Sequence, residues 1–265
     1  MQVVTPALRT ADGERLATVL LAGPGDTCVV LAHGFSGSTA TPALRRVAEG
    51  LARHASVLAY DARGYGSSTG RTTLGDREVL DVDAAVAAAR SEGFERVVTC
   101  GWSMGGSAVI RQAGLRGTVV AGHLLDSPPD AVASVSGTAA WSTRATASAP
   151  MRRLHRLVET RTGRLVARRA MATRIDPTTW AVPPLSPLDV VARVAPLPLL
   201  VVHGDRDGYF AVSHAQALAA AAGEPVELWI EPGFAHAESG AGPALVDRLG
   251  ARLVELSRVR SPSRA

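Results

Sequence analysis

Phe94-Glu95-Arg96-Val97-Val98-Thr99-Cys100 runs without interruption into Gly101-Trp102-Ser103-Met104-Gly105. The first seven residues read as a strand, and the small residues from Gly106 to Ala113 read as a helix. Between them lies Gly-x-Ser-x-Gly, the spacing of a turn that lifts a serine hydroxyl above the end of a sheet. Glycines at 101, 105 and 106 remove side chains that would collide in so sharp a turn. The helix begins at the serine, so its unpaired N–H groups and positive dipole end face the space beside the hydroxyl. Ser103 is thus a candidate nucleophile and the Met104 N–H a candidate donor to a developing negative charge.

Working outward, apolar runs alternate with helical spacing. Thr27 to Ala32 is continuously apolar, as suits a strand buried on both faces. It is followed by a helix, capped near Ser38 or Thr39, that carries Leu44, Val47, Ala48 and Leu51. A strand from Ser56 to Tyr60, a helix from about Leu74 to Glu92, and a strand from Thr118 to Leu125 continue the pattern. Leu197 to Val202 and Pro225 to Ile230 read as strands, with helices at Ala211 to Ala222 and from about Ala241 to Leu256. Near the start, Asp12-Gly13 marks a turn between a strand around Val3 and one from Glu14 to Leu21. This alternation predicts an α/β fold with a mostly parallel central sheet and helices on both faces. The stretch 131–184 breaks the alternation and is rich in arginine, including Arg144. It reads as two or three helices forming a lid (cap) inserted into a single domain that spans 1–265. The tail from Arg258 to Ala265 is expected to fray.

In such sheets ligands bind beyond the carboxyl ends of the strands, where the chemically suggestive residues fall. A serine hydroxyl needs a base, and the base needs an acid to orient it. His236, in a Gly-Phe-Ala-His loop just past the last strand, is the preferred base over His214, which lies inside a helical run. For the acid, Asp207 stands further out in its loop than Asp205, which could instead hold the turn. Asp126 is a third candidate. His33-Gly34-Phe35 follows the first buried strand, and Gly34 allows the Phe35 N–H to point at the same oxyanion as that of Met104. His33 reads as a brace for this loop and Arg63 as a tie between loops. Neither a metal-ligand spacing nor a phosphate-binding glycine loop is present, so no cofactor or metal is implied.

The 265 residues have a formal net charge of +4, and all 28 basic residues are arginine. With aromatic content at only 4%, nucleic-acid binding is not indicated. No signal peptide and no apolar run of membrane-spanning length is evident. Cys28 and Cys100 fall in buried strands and read as reduced thiols. A soluble cytoplasmic protein is expected, with its oligomeric state open.

Taken together, His33-Gly34-Phe35, Asp61-Ala62-Arg63-Gly64-Tyr65-Gly66-Ser67, Gly101-Trp102-Ser103-Met104-Gly105, His203-Gly204-Asp205-Arg206-Asp207 and Gly233-Phe234-Ala235-His236 resemble the α/β-hydrolase superfamily over nearly the whole chain. The turn Asp126-Ser127-Pro128 looks like the esterase, lysophospholipase-like and serine-peptidase-like branch. The resemblance implies Ser103 as nucleophile, Asp207 as acid and His236 as base, with Phe35 and Met104 forming the oxyanion hole. It also implies a small-molecule ester or thioester substrate. A peptidase or amidase on the same triad, or a non-hydrolytic binding protein or lyase on the same scaffold, are the alternatives. The sequence departs from the superfamily pattern after the acid, where Gly208-Tyr209-Phe210 replaces the frequent Val-Pro.

Overall fold

The buried apolar runs become the middle of an eight-stranded sheet. The computed structural model describes residues 3–4, 8–141, 145–178, 180 and 182–259. Its strands are β1 (Val3–Val4), β2 (Thr18–Leu21), β3 (Thr27–Ala32), β4 (Ser56–Tyr60), β5 (Arg96–Trp102), β6 (Ala131–Val135), β7 (Leu199–Gly204) and β8 (Val226–Glu231). They lie in the order β1-β2-β4-β3-β5-β6-β7-β8. β2 runs antiparallel to both β1 and β4, and all other pairs are parallel.

Alternation along each strand divides the core into two layers. From β3, Cys28, Val30 and Ala32 pack with α2 (Glu78–Ser91 in the chain order after α1, Pro42–Leu51) and with α3 (Met104–Gly114). Val29 and Leu31 face the other way, against Leu44, Val47 and Leu51 of α1 and against Leu249 and Leu253 of the C-terminal helix. The four apolar positions expected on α1 are all buried. Its N-cap is Thr41, with Pro42 opening the helix, slightly later than the sequence suggests.

Three expectations are corrected. Thr118 to Leu125 does not enter the sheet; it forms a hairpin of Val119–Val120 and His123–Leu124, with Ala121 and Gly122 at φ 49° and 83°. Val119 and Leu124 are exposed. The strand beside β5 is instead Ala131–Val135, at the head of the stretch expected to leave the sheet. At the N-terminus, Arg15–Leu16 pairs with Leu8–Arg9 in a separate ribbon around Asp12-Gly13, and only Thr18–Leu21 joins the main sheet.

The lid-like insertion follows β6. Its helices are α4 (Ala149–Glu159) and α5 (Arg161–Ala170), packed against each other. Ser148 and Thr160 cap them by accepting the N–H groups of Met151 and Gly163. The joint is close enough that a Cβ on Gly163 would lie 2.3 Å from the Leu157 carbonyl oxygen. Beyond α5 the chain is stitched to the loop after β4: the Arg174 N–H donates to Gly64 O at 2.6 Å, and the Thr72 N–H to Arg174 O at 2.8 Å. Arg144 and the tail residues 260–265 lie outside the described residues. The remaining helices longer than four residues are α6 (Val212–Ala221) and α7 (Pro243–Leu256).

Candidate active site

Ser103 sits between β5 and α3 with φ 51° and ψ −113°, a conformation costly for any residue with a side chain. The sheet and the helix hold it there together. Its N–H extends the ladder by donating to Val135 O at 2.8 Å, and its carbonyl accepts the Ser107 N–H at 3.1 Å. The glycine spacing has a direct steric cause. A Cβ on Gly101 would lie 2.1 Å from Gly105 O, and one on Gly105 would lie 2.4 Å from Ala32 O.

Two loops from the far side of the sheet converge on this serine. His236, which follows β8, places Nε2 2.9 Å from Ser103 Oγ and Nδ1 2.6 Å from Asp207 Oδ2. The Asp207 side chain, in the loop after β7, is fully buried. Its other oxygen accepts the N–H groups of Tyr209 at 2.8 Å and Phe210 at 3.1 Å. Burial pushes this carboxyl upward, but the bond and charge of His236 and the two backbone donors outweigh it and hold the group below the usual carboxylate range. An ionised Asp207 accepts from Nδ1–H, which leaves Nε2 free to accept the serine proton. The Tyr209 ring stacks on the imidazole at 4.4 Å, so the departure from Val-Pro after the acid supplies an aromatic wall.

The competing candidates have other positions. Asp205 is exposed and accepts the Gly233 N–H at 2.7 Å, bracing the loop that leads to His236. Asp126 is exposed between the small hairpin and the start of β6, and so does not follow the carboxyl end of a main-sheet strand. His214 is half-buried, and its Nδ1 accepts the Ala139 N–H at 3.1 Å.

The loop after β3 is held rigid. His33 Nε2 accepts the Ala62 N–H at 3.0 Å, which puts the ring proton on Nδ1, and Nδ1 donates to Gly34 O at 2.7 Å. Asp61 accepts the N–H groups of Thr39 and Ser67. Arg63 is buried and pairs with Asp12 and Asp81. A Cβ on Gly34 would stand 3.2 Å from the Ser103 Cβ, so this backbone lies directly against the serine. Among the described residues, the N–H groups of Phe35 and Met104 make no hydrogen bond.

Two contributors escaped the sequence reading. Glu238 Oε1 accepts the Gly34 N–H at 2.7 Å, so one segment carries both His236 and the carboxylate that grips the loop beside Ser103. His203 is fully buried near Asp207, and its Nε2–H donates to Phe210 O at 3.0 Å. The spacing His-x-Glu was the only sequence signal for Glu238, and its partner is 204 residues away.

Above these groups lies a cavity of about 950 Å³. Ser103, Met104 and His236 line its base, and Met151, Leu154 and Val158 of α4 line its roof. Trp141 and Trp180 form one wall with ring centres 5.3 Å apart. Both rings are fixed through their N–H groups, which donate to Pro184 O and Thr73 O. Among the described residues no group of three His, Cys, Asp or Glu side chains could hold a metal ion, and no helix is long and apolar enough to cross a membrane.

The model of the alpha/beta hydrolase family matches residues 29–253. The chain belongs to this family. No curated protein matches it significantly in sequence. Among solved structures, the hydrolase is similar to the esterase Pf2001 of Pyrococcus furiosus at 21% identity, with a TM-score of 0.70 over 96% of this chain and 90% of that one. The alpha/beta hydrolase GrgF from Penicillium sp. sh18 matches at 17% identity and TM-score 0.72, over 97% and 99% of the two chains. Est1E from Butyrivibrio proteoclasticus, solved with ferulic acid bound, matches at 18% identity and TM-score 0.64, over 96% and 100%.

Proposed function

We propose that this hydrolase cleaves carboxylic esters or thioesters through an acyl-enzyme on Ser103. The observation that carries the reading is the bridge made by His236, with one ring nitrogen on Ser103 Oγ and the other on a buried Asp207. In the first half-reaction Nε2 takes the hydroxyl proton as Oγ attacks the carbonyl carbon, and Asp207 stabilises the resulting imidazolium. The carbonyl oxygen takes up negative charge facing the N–H groups of Phe35 and Met104. The imidazolium then gives its proton to the leaving alcohol or thiol as the carbon–heteroatom bond breaks. In the second half, water loses a proton to Nε2 and attacks the acyl carbon, and Ser103 leaves with that proton restored.

The apolar roof and the tryptophan wall suit the acyl chain of a small-molecule substrate. The amidase alternative would need a free carboxylate to hold an amine. Glu159, Asp176 and Glu238 line the cavity, but Asp176 already accepts both the N–H and the hydroxyl of Thr178, Glu238 accepts the Gly34 N–H, and Glu159 is itself engaged. In this reading the enzyme is cytoplasmic and forms one domain, with the lid occupying the stretch from the end of β6 to residue 184.

Labelling with a fluorophosphonate, followed by mass mapping, tests the assignment beside a p-nitrophenyl ester series of increasing acyl length. Modification at Ser103 and loss of turnover in Ser103→Ala are expected. Turnover that survives this substitution would overturn the mechanism.

A further inference from the structure

The distribution of charge separates the lid from the rest of the molecule. α4 and α5 together hold seven arginines and one glutamate, while the other parts of the chain hold 21 arginines against 23 carboxylates. The whole positive surplus therefore sits on two short helices above the cavity. A general preference for arginine over lysine does not explain this, because the remainder is slightly acidic. Elsewhere the surface pairs Arg53–Asp247, Arg96–Asp26 and Arg248–Glu231 neutralise arginines, and the exposed ones without an ion pair among the described residues, such as Arg46, Arg77, Arg193 and Arg206, stand singly on separate elements. On the lid, the side chains of Arg153, Arg156, Arg161, Arg168 and Arg169 are exposed and have no hydrogen bond or ion pair among the described residues.

The outer face of α5 adds an apolar component. Arg161, Leu165, Arg168 and Arg169 are spaced i, i+4, i+7 and i+8, so they share one stripe with Leu165 at its centre. Leu165 is 46% exposed, and Val166 beside it is 50% exposed. The opposite face, at Gly163 and Ala167, packs inward. Cations ringing an exposed leucine match a surface that offers both anionic headgroups and hydrocarbon. A single soluble polyanion would be held by converging arginines and would have no use for Leu165. Here only Arg153 and Arg164 reach the cavity, and the others are spread over two outward faces.

We propose that the helical hairpin α4–α5 is a docking surface for anionic lipid bilayers, with Leu165 entering the headgroup layer and the arginines meeting the phosphates. The docking stands on charge and exposure alone. Its use, holding the cavity mouth against a membrane that carries ester substrate, rests on the ester-cleaving reading above.

Vesicle flotation of the full chain tests it. The vesicles are pure phosphatidylcholine or an equimolar mixture of phosphatidylcholine and phosphatidylglycerol. The protein should float with the mixed vesicles and stay behind with the neutral ones, and binding should weaken as salt rises. Each basic residue near such a surface is worth about fivefold in partitioning. Replacing Arg161, Arg168 and Arg169 by Gln should therefore lower it on the order of 100-fold. Leu165→Ser should weaken it further, and turnover of a short soluble ester should be unchanged in both variants. Ser103→Ala should float like the wild type, so failure of the catalytic reading would leave this result intact. Equal partitioning to both vesicles, no binding, or an unaffected triple variant would overturn the proposal. A triple variant with indifferent flotation but a raised KM for a coenzyme A thioester would assign the arginines to a soluble polyanion instead.

Discussion

Removing the Glu238 carboxylate tests whether the loop beside Ser103 is held or merely rests in place. The Gly34 N–H donates to Glu238 Oε1 at 2.7 Å, a charge-assisted bond in a half-buried site. Such bonds contribute about 1.5–3 kcal/mol. If that energy keeps the Phe35 N–H aimed at the oxyanion, its loss lowers kcat by about 10- to 150-fold, at roughly 1.4 kcal/mol per factor of ten. The ceiling is the complete loss of one oxyanion donor, on the order of 10²–10³. Glu238→Ala should therefore reduce kcat within that range and leave KM for a short p-nitrophenyl ester nearly constant. Glu238→Gln retains an acceptor oxygen of the same reach and should keep kcat within about tenfold, since neutral bonds are roughly half as strong. The affinity of a boronic acid that mimics the tetrahedral intermediate should fall in parallel with kcat in the alanine variant. An alanine variant with wild-type kcat, or a glutamine variant as impaired as alanine, would refute the reasoning.

Asp207→Asn should cost on the order of 10⁴-fold in kcat because the imidazole loses the partner that fixes its tautomer. Asp205→Asn still accepts the Gly233 N–H and should cost under about tenfold; the reverse ranking would reassign the acid. Ser103→Gly relieves the positive-φ strain and should raise stability by about 1 kcal/mol, while Ser103→Ala keeps the strain and should leave the melting temperature unchanged. Arg63→Ala strands Asp81 in the core and should destabilise by about 3–5 kcal/mol in urea unfolding, a value typical of a broken buried pair. His214 has its pKa depressed by burial and by His203. The unfolded chain therefore takes up its proton first, and this contribution to stability is complete above about pH 6.5 and lost as pH falls through that value toward the folded-state pKa. His214→Asn preserves an acceptor for Ala139 without the titration and should flatten the decline in melting temperature from about pH 7 to about pH 5. An identical decline in both proteins would count against it.

Much of this protein is decided by short stretches of sequence. The buried strands β3 and β4 have the expected ends because continuous apolar runs between turn residues have no lower-energy alternative than full burial. The elbow is equally local: Gly101 and Gly105 are needed by contacts within a few residues and with the neighbouring strand. The order of Ser103, an aspartate in the loop after β7 and His236 likewise followed from which residues stand at strand ends. Tertiary structure decided the rest. Ala131–Val135 has little strand preference of its own, yet it fills the slot between β5 and β7, where small residues fit closely beside α3. Thr118 to Leu125 has the β-branched residues but turns back on itself at Ala121-Gly122. The choice of Asp207 over Asp205 depends on which carboxylate the fold buries beneath His236, and two residues of spacing cannot express that. Glu238 meets Gly34 only because the parallel sheet puts the carboxyl ends of β3 and β8, four strands apart, at the same end. The arginines of the lid are plain in the sequence, but whether carboxylates neutralise them is a property of neighbours in space. Local pattern sets backbone conformation and which faces are apolar; partners far apart in the chain are assigned by packing, because a charge or donor is satisfied by whatever the fold places beside it.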